Sequence, residues 1–196
     1  AKWDELLEIS NRYEIPIIED SAEAFGSMYK GRLCGSFGNY SILSFNGNKI
    51  ITTSSGGALL CKDEQDKERA IYLSTQAKTT SSLYGEVGFN YRMSNVLASL
   101  GIEQLKVLNK RIEQRRDNHT KYHSLVSDLN GVKLQQENSS DFYSNFWLNC
   151  IITNNPKISK SALIDEFTKH HIEVRPLWFP LHLQDYLKGS LYYGDN

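Results

Sequence analysis

The chain has 196 residues, enough for one large domain or two small ones. Its 22 basic and 23 acidic residues leave a net charge of −1, which gives no electrostatic reason to expect nucleic acid or an anionic membrane as a partner. No apolar run is long enough to span a bilayer. Cys34, Cys61 and Cys150 are odd in number and widely spaced, so they define neither a metal site nor a disulfide framework and read as reduced thiols of a cytosolic protein.

Residues Trp3 to Tyr13 read as an amphipathic helix, with Trp3, Leu6, Leu7 and Ile9 apolar among charges. Ile15-Pro16-Ile17-Ile18 is a short apolar run that ends in Glu19-Asp20. It predicts a buried strand of a parallel or mixed sheet with polar groups at its carboxyl end. Gly31, Gly35 and Gly38 punctuate a loop, and Tyr40 to Phe45 is a second strand. Asn46-Gly47-Asn48 breaks that strand just before Lys49. Ile50 to Thr53 is short and β-branched, Gly56-Gly57 turns the chain, and Ala58 to Cys61 is a third strand. Glu64 to Ser74 reads as a helix.

Thr75 to Gly88 is a polar loop. Ser94 is placed to cap a helix that carries Val96, Leu97, Leu100, Leu105 and Leu108 on one face. A more charged helix runs from Lys110 to about Leu129. Its Arg111, Arg115 and Arg116, interleaved with Glu113 and Asp117, read as a solvated face rather than a phosphate patch. His119, His123, His170 and His171 also read as solvated. Asn130 to Tyr143 is expected to be a linker and Phe146 to Ile152 a strand. Ser159 or Ser161 would cap a helix with Leu163, Ile164 and Phe167, and Glu173-Val174-Arg175 a further short strand. The order predicts an α/β domain over residues 1–108. A connecting helix and a smaller α+β domain would follow over 109–196. The first helix begins almost at once and Tyr192 to Asn196 carries no pattern, so a fragment of a longer protein is expected.

Asp20 and Lys49 each follow the carboxyl end of a predicted strand, where open α/β sheets place ligands. By spacing alone the pair is weak evidence, since a lone Lys there is usually a surface charge and a lone Asp a turn residue. The ordered string is more specific. Ile18 to Ala24 is followed by Tyr29-Lys30-Gly31-Arg32, Gly35-Ser36-Phe37-Gly38, Ser44-Phe45-Asn46-Gly47-Asn48-Lys49 and Gly56-Gly57. Gly88-Phe89-Asn90-Tyr91-Arg92-Met93-Ser94 and Arg175-Pro176-Leu177-Trp178-Phe179-Pro180-Leu181-His182 come later. From Ile15 to His182 this string resembles the DegT/DnrJ/EryC1/StrS family of pyridoxal-phosphate-dependent sugar aminotransferases. It is most similar to the branch that aminates UDP-linked 4-keto-6-deoxy-N-acetyl sugars.

The resemblance implies a partial fold type I large domain, with a mixed, mostly parallel sheet, plus a smaller α+β domain. It implies pyridoxal 5′-phosphate as cofactor and no metal. Lys49 resembles the Schiff-base lysine and proton shuttle, and Asp20 the partner of the pyridine nitrogen. Ala22 would lie against the ring face and Glu23 near the ring hydroxyl. Ser44 would bind the cofactor phosphate, and Asn90 the phosphate of a neighbouring subunit's cofactor, in a homodimer with shared sites. Arg92 would contact substrate or form a structural salt bridge. Trp178 and His182 fall where the family approaches the sugar nucleotide; a structural hydrogen bond is the other reading of His182. Relatives of this branch carry a His shortly before the Asn90 motif, where this chain has Ser82 to Val87. The implied activity is transfer of an amino group from glutamate to a nucleotide-linked keto sugar for surface polysaccharide or glycoprotein, in the cytoplasm. A sugar dehydratase and an inactive module that binds a nucleotide sugar or a partner subunit are the alternatives. Lys49 argues against the dehydratase, whose members carry His there.

Overall fold

In the computed structural model, which describes residues 1–194, the first turn of α1 (Trp3–Tyr13) buries Trp3, and Glu14 closes the helix in the left-handed region at φ 53°. Of the terminal stretch Tyr192 to Asn196, the last two residues lie outside those described. Strand β1 (Ile18–Asp20) starts later than the apolar run suggests. Pro16 has no N–H to give a ladder, so pairing begins only when Ile17 meets Asn39. The glycine-punctuated stretch, expected as a loop, contains a small hairpin, β2 (Met28–Tyr29) and β3 (Arg32–Leu33). Lys30 and Gly31 between them both have positive φ, the twist a two-residue hairpin turn requires.

Strand β4 (Tyr40–Ser44) lies parallel to β1, with Asp20 opposite Ile42, and antiparallel to β5 (Gly57–Cys61). The sheet is therefore mixed, in the order β1-β4-β5. Ile50 to Thr53 forms no strand. It folds back so that the Thr53 N–H bonds Phe45 O, with Ile51 and Thr53 buried. Helix α2 (Glu64–Ser74) is capped by Asp63, and α3 (Asn95–Lys106) by Ser94, whose hydroxyl accepts from Leu97 N–H. Helix α4 (Leu108–Val126) follows directly.

The supposed linker after α4 holds β6 (Val132–Leu134) and β7 (Phe142–Tyr143), and β7 joins β2 as its antiparallel neighbour. The strand expected over Phe146 to Ile152 shortens to β8 (Ile151–Thr153). Phe146 sits at φ 43° and Asn145 accepts from Trp147 N–H, so the chain turns where an extended backbone was expected. No strand forms at Glu173 to Arg175; Arg175 pairs with its near neighbour Glu173 instead.

Two compact units result: Ala1–Leu125 with Gln136–Asn149, and Val126–Gln135 with Cys150–Asn196. The sequence-based division at 108/109 therefore differs from the packing: most of α4 and the segment 136–149 belong with the first unit. An aromatic cluster anchors that unit. Trp3 stacks on Phe37 at 4.7 Å, and Tyr29 packs edge-on against Phe37 and, on its other side, against Phe142. In the second unit β6 pairs with β8, Leu134 is buried, and α5 (Lys160–Lys169) is capped by Ser159.

Candidate active site

Alternation along β1 sends its two carboxylates in opposite directions. Glu19 points inward and is buried, accepting hydrogen bonds from Ser21 Oγ (2.8 Å), Ser41 Oγ (3.1 Å) and the N–H groups of Gly35 (2.5 Å), Phe37 (3.0 Å) and Gly38 (3.3 Å). The Gly35-Ser36-Phe37-Gly38 motif is thus a backbone cradle for one carboxylate. Gly35 has φ 93°, and a Cβ on Gly38 would lie 2.6 Å from Tyr40 O and 2.9 Å from Ile17 O, so neither position tolerates a side chain. Burial pushes the Glu19 carboxyl up. The donors around it outweigh burial and hold it below the ordinary glutamate value of 4.5.

Asp20 points outward, is exposed, and accepts from Ala22 N–H at 3.1 Å, which fixes the turn that leads to Glu23. The parallel neighbour β4 ends in half-buried Ser44, whose hydroxyl accepts from Asn46 N–H. Asn46 then closes a tight turn, with Lys49 N–H bonded to its carbonyl at 3.0 Å. Both strands deliver their following residues at one edge of the sheet, and there Lys49 Nζ lies 3.1 Å from Glu23 Oε1. The Lys49 side chain is 12 % exposed. Its ammonium sits 4.6 Å from the centroid of the Trp147 ring.

Sequence reasoning missed Trp147 and its neighbour Asn145. Trp147 is buried and donates its indole N–H to Asn48 O at 2.7 Å; Asn145 is buried and donates to Glu23 O and Phe25 O. The segment that carries them is held by α4. Arg116 donates to Glu137 (2.7 Å) and to Ser144 O (2.6 Å), with its guanidinium 4.0 Å from the Tyr143 ring centroid. His119 is buried, stacked on Phe146, with Nδ1 2.8 Å from Asn149 Oδ1. Neither Arg116 nor His119 is the solvated helix residue expected, because segment 136–149 covers that face of α4.

The structure thus brings Asp20, Ala22, Glu23, Ser44 and Lys49 to one end of β1 and β4. Asn90 and Arg92 lie in the same unit, on another segment of the chain. Residues 89–91 run beside the end of α2, with Asn90 bridged to Thr75, and both side chains are exposed. Arg92 makes no ion pair among the described residues. Trp178 and His182 belong to the second unit; Trp178 is exposed, and His182 stacks on Tyr192 at 4.1 Å. Among the described residues no group of His, Cys, Asp and Glu side chains is arranged to hold a metal, and no helix is long and apolar enough to cross a membrane.

Comparison with known proteins relates the chain as a whole to others. EpsN of Bacillus subtilis, whose name assigns it as a pyridoxal phosphate-dependent aminotransferase, is 43% identical over 196 residues, 99% of this chain and 50% of EpsN. A GDP-perosamine synthase of Escherichia coli O157:H7 is 33% identical over 91% of this chain and 49% of its own length. The solved structure of Helicobacter pylori PseC, an aminotransferase involved in the biosynthesis of pseudoaminic acid, superposes with a TM-score of 0.90 at 19% identity. It covers 100% of this chain and 54% of PseC, and shares the fold. The chain spans about half the length of the curated relatives it matches. The model of the DegT/DnrJ/EryC1/StrS aminotransferase family matches residues 1–195, and the chain belongs to that family.

Proposed function

We propose that the protein is a pyridoxal-phosphate-dependent aminotransferase that moves an amino group from glutamate to a nucleotide-linked keto sugar. Glutamate leaves as 2-oxoglutarate, and the sugar exchanges its carbonyl oxygen for the amine. The observation that carries this reading is the pairing of Lys49 Nζ with Glu23 at 3.1 Å, at the carboxyl ends of two parallel strands, one of which ends in Asp20. The side chains present suit the cofactor: a largely sheltered amine at Lys49, an exposed carboxylate at Asp20, a small residue at Ala22 and a hydroxyl at the end of β4. When bound, pyridoxal phosphate supplies an electron sink for the substrate carbon that bears nitrogen.

Lys49 Nζ would hold the cofactor and would move a proton at that substrate carbon. Asp20 would hold a proton on the ring nitrogen. Ala22 would face the ring, Glu23 would orient Lys49, and the Ser44 hydroxyl would bind the phosphate. Asn90, exposed at its bridge to Thr75, would serve the cofactor phosphate of a second protomer, in a homodimer with shared sites. Arg92, Trp178 and His182 contact the sugar nucleotide. The Ser44 to Lys49 motif favours a UDP-linked 4-keto-6-deoxy-N-acetyl sugar, and the product enters surface polysaccharide or glycoprotein made from cytoplasmic precursors. Lysine at position 49, where sugar dehydratases of this kind carry histidine, supports amination.

Borohydride reduction of the full-length protein with added pyridoxal phosphate tests the assignment. Peptide mapping should find the label on Lys49, and a label on another lysine would overturn the site. Amine transfer to UDP-, GDP- and dTDP-linked keto sugars, followed by mass spectrometry, identifies the acceptor. Lys49→Ala should abolish transfer and leave the circular dichroism unchanged.

A further inference from the structure

The two halves of the site, the turn after β1 and the turn after β4, are joined by a third piece of chain. Asn145 Nδ2 donates to Glu23 O (3.0 Å) and Phe25 O (3.1 Å), and Asn145 N–H to Ser27 Oγ (3.0 Å). The Asn145 side-chain oxygen accepts from Trp147 N–H at 2.9 Å, and the Trp147 indole reaches across to Asn48 O at 2.7 Å. Two turns of the site are therefore pinned by residues about a hundred positions away in sequence, 122 for Asn145 to Glu23 and 99 for Trp147 to Asn48.

We propose that Asn145 and Trp147 form a strap that sets the register of the site, with Trp147 as the positioning residue for Lys49. The inference rests on the reading of Lys49 given above. Lysine has a long, freely rotating stem, and its reaction needs the amine held at one place. The ion pair with Glu23 is a weak restraint, because Glu23 is 45% exposed. The indole face supplies a second one. The ammonium lies over it at 4.6 Å in a sheltered setting, and the indole N–H fixes the backbone one residue before Lys49. A ring that served only as filler would have no reason to present its face to the one sheltered ammonium of the site.

The test compares Lys49 reactivity in the full-length protein freed of cofactor, using trace acetylation with acetic anhydride and exposed Lys62 as internal reference. W147F keeps an aromatic face and should leave the relative Lys49 rate within about twofold of the parent; W147L keeps bulk alone and should raise it about three- to tenfold, the range a partly sheltered cation–π contact supports. Equal rates in W147F and W147L would reduce Trp147 to packing and overturn the proposal. If W147L does not fold, W147M, which refills the space with a flexible apolar chain, carries the same criterion. Borohydride labelling of the parent protein separates the two readings. A label away from Lys49 removes the cofactor assignment, while the acetylation comparison, made without cofactor, still decides the role of Trp147.

Discussion

Glu19 and Asp20 are chemically alike neighbours, and strand geometry alone separates them. Glu19 is buried and ringed by five donors, so its charge is a structural element. Glu19→Gln sets an amide N–H2 against backbone N–H groups and is expected to cost about 2–4 kcal/mol in urea unfolding at pH 7. Because its folded-state pKa lies below the ordinary 4.5, the stabilisation is fully present above that value and is lost as pH falls through the depressed one. Parent and E19Q should therefore converge in stability as the solution is taken well below pH 4.5; parallel curves would contradict this. Asp20 is exposed and bonded only to its own turn, so Asp20→Asn is expected to spare stability. It should lower kcat by at least about a hundredfold, the scale of losing a group that holds a proton in place. The place of Asp20 at the carboxyl end of a strand was legible. The inward role of Glu19 was not, because its donors come from residues 35 to 41 folding back over it.

Among the elements, helices with strong local signals form as expected. Ser94 caps α3 through Leu97 N–H, and Ser94→Ala is expected to cost about 1 kcal/mol, read as a lower thermal midpoint. The short strands were not legible. With only two or three residues each, β2, β3, β6 and β7 lack the length for a period to show. Segment 136–149 depends instead on single side chains of α4. Arg116→Ala leaves Glu137 with the Ser144 N–H alone and takes the guanidinium from Ser144 O, and is expected to cost about 1–3 kcal/mol. Hydrogen exchange should then quicken at the amides of residues 142–147 more than in β4. Unchanged exchange there would show that the aromatic stacking of His119 on Phe146 is sufficient.

For the whole molecule, the apolar stripe foreseen from Val96 to Leu108 is present but lies partly open: Val96 is 79% and Leu100 46% exposed and Leu105 is exposed too, while Leu97 and Leu108 are half-buried. A helix of this pattern is ordinarily covered. The 196-residue chain expressed alone is therefore expected to bind a hydrophobic dye and to self-associate in sedimentation, and a dye-silent monomer would contradict the placement of α3. The amino-acid order determined the α/β class, the capped helices, the strands β4 and β5 and the placing of Asp20, Ser44 and Lys49 at or just after the ends of strands. Each is written in caps, breaks and periodicity within a dozen residues. The tertiary structure alone decided the burial of Glu19 and His119, the division into units and the Trp147 face under Lys49. These depend on contacts between distant residues, 99 apart for Trp147 and Asn48, and such contacts leave no local pattern to read.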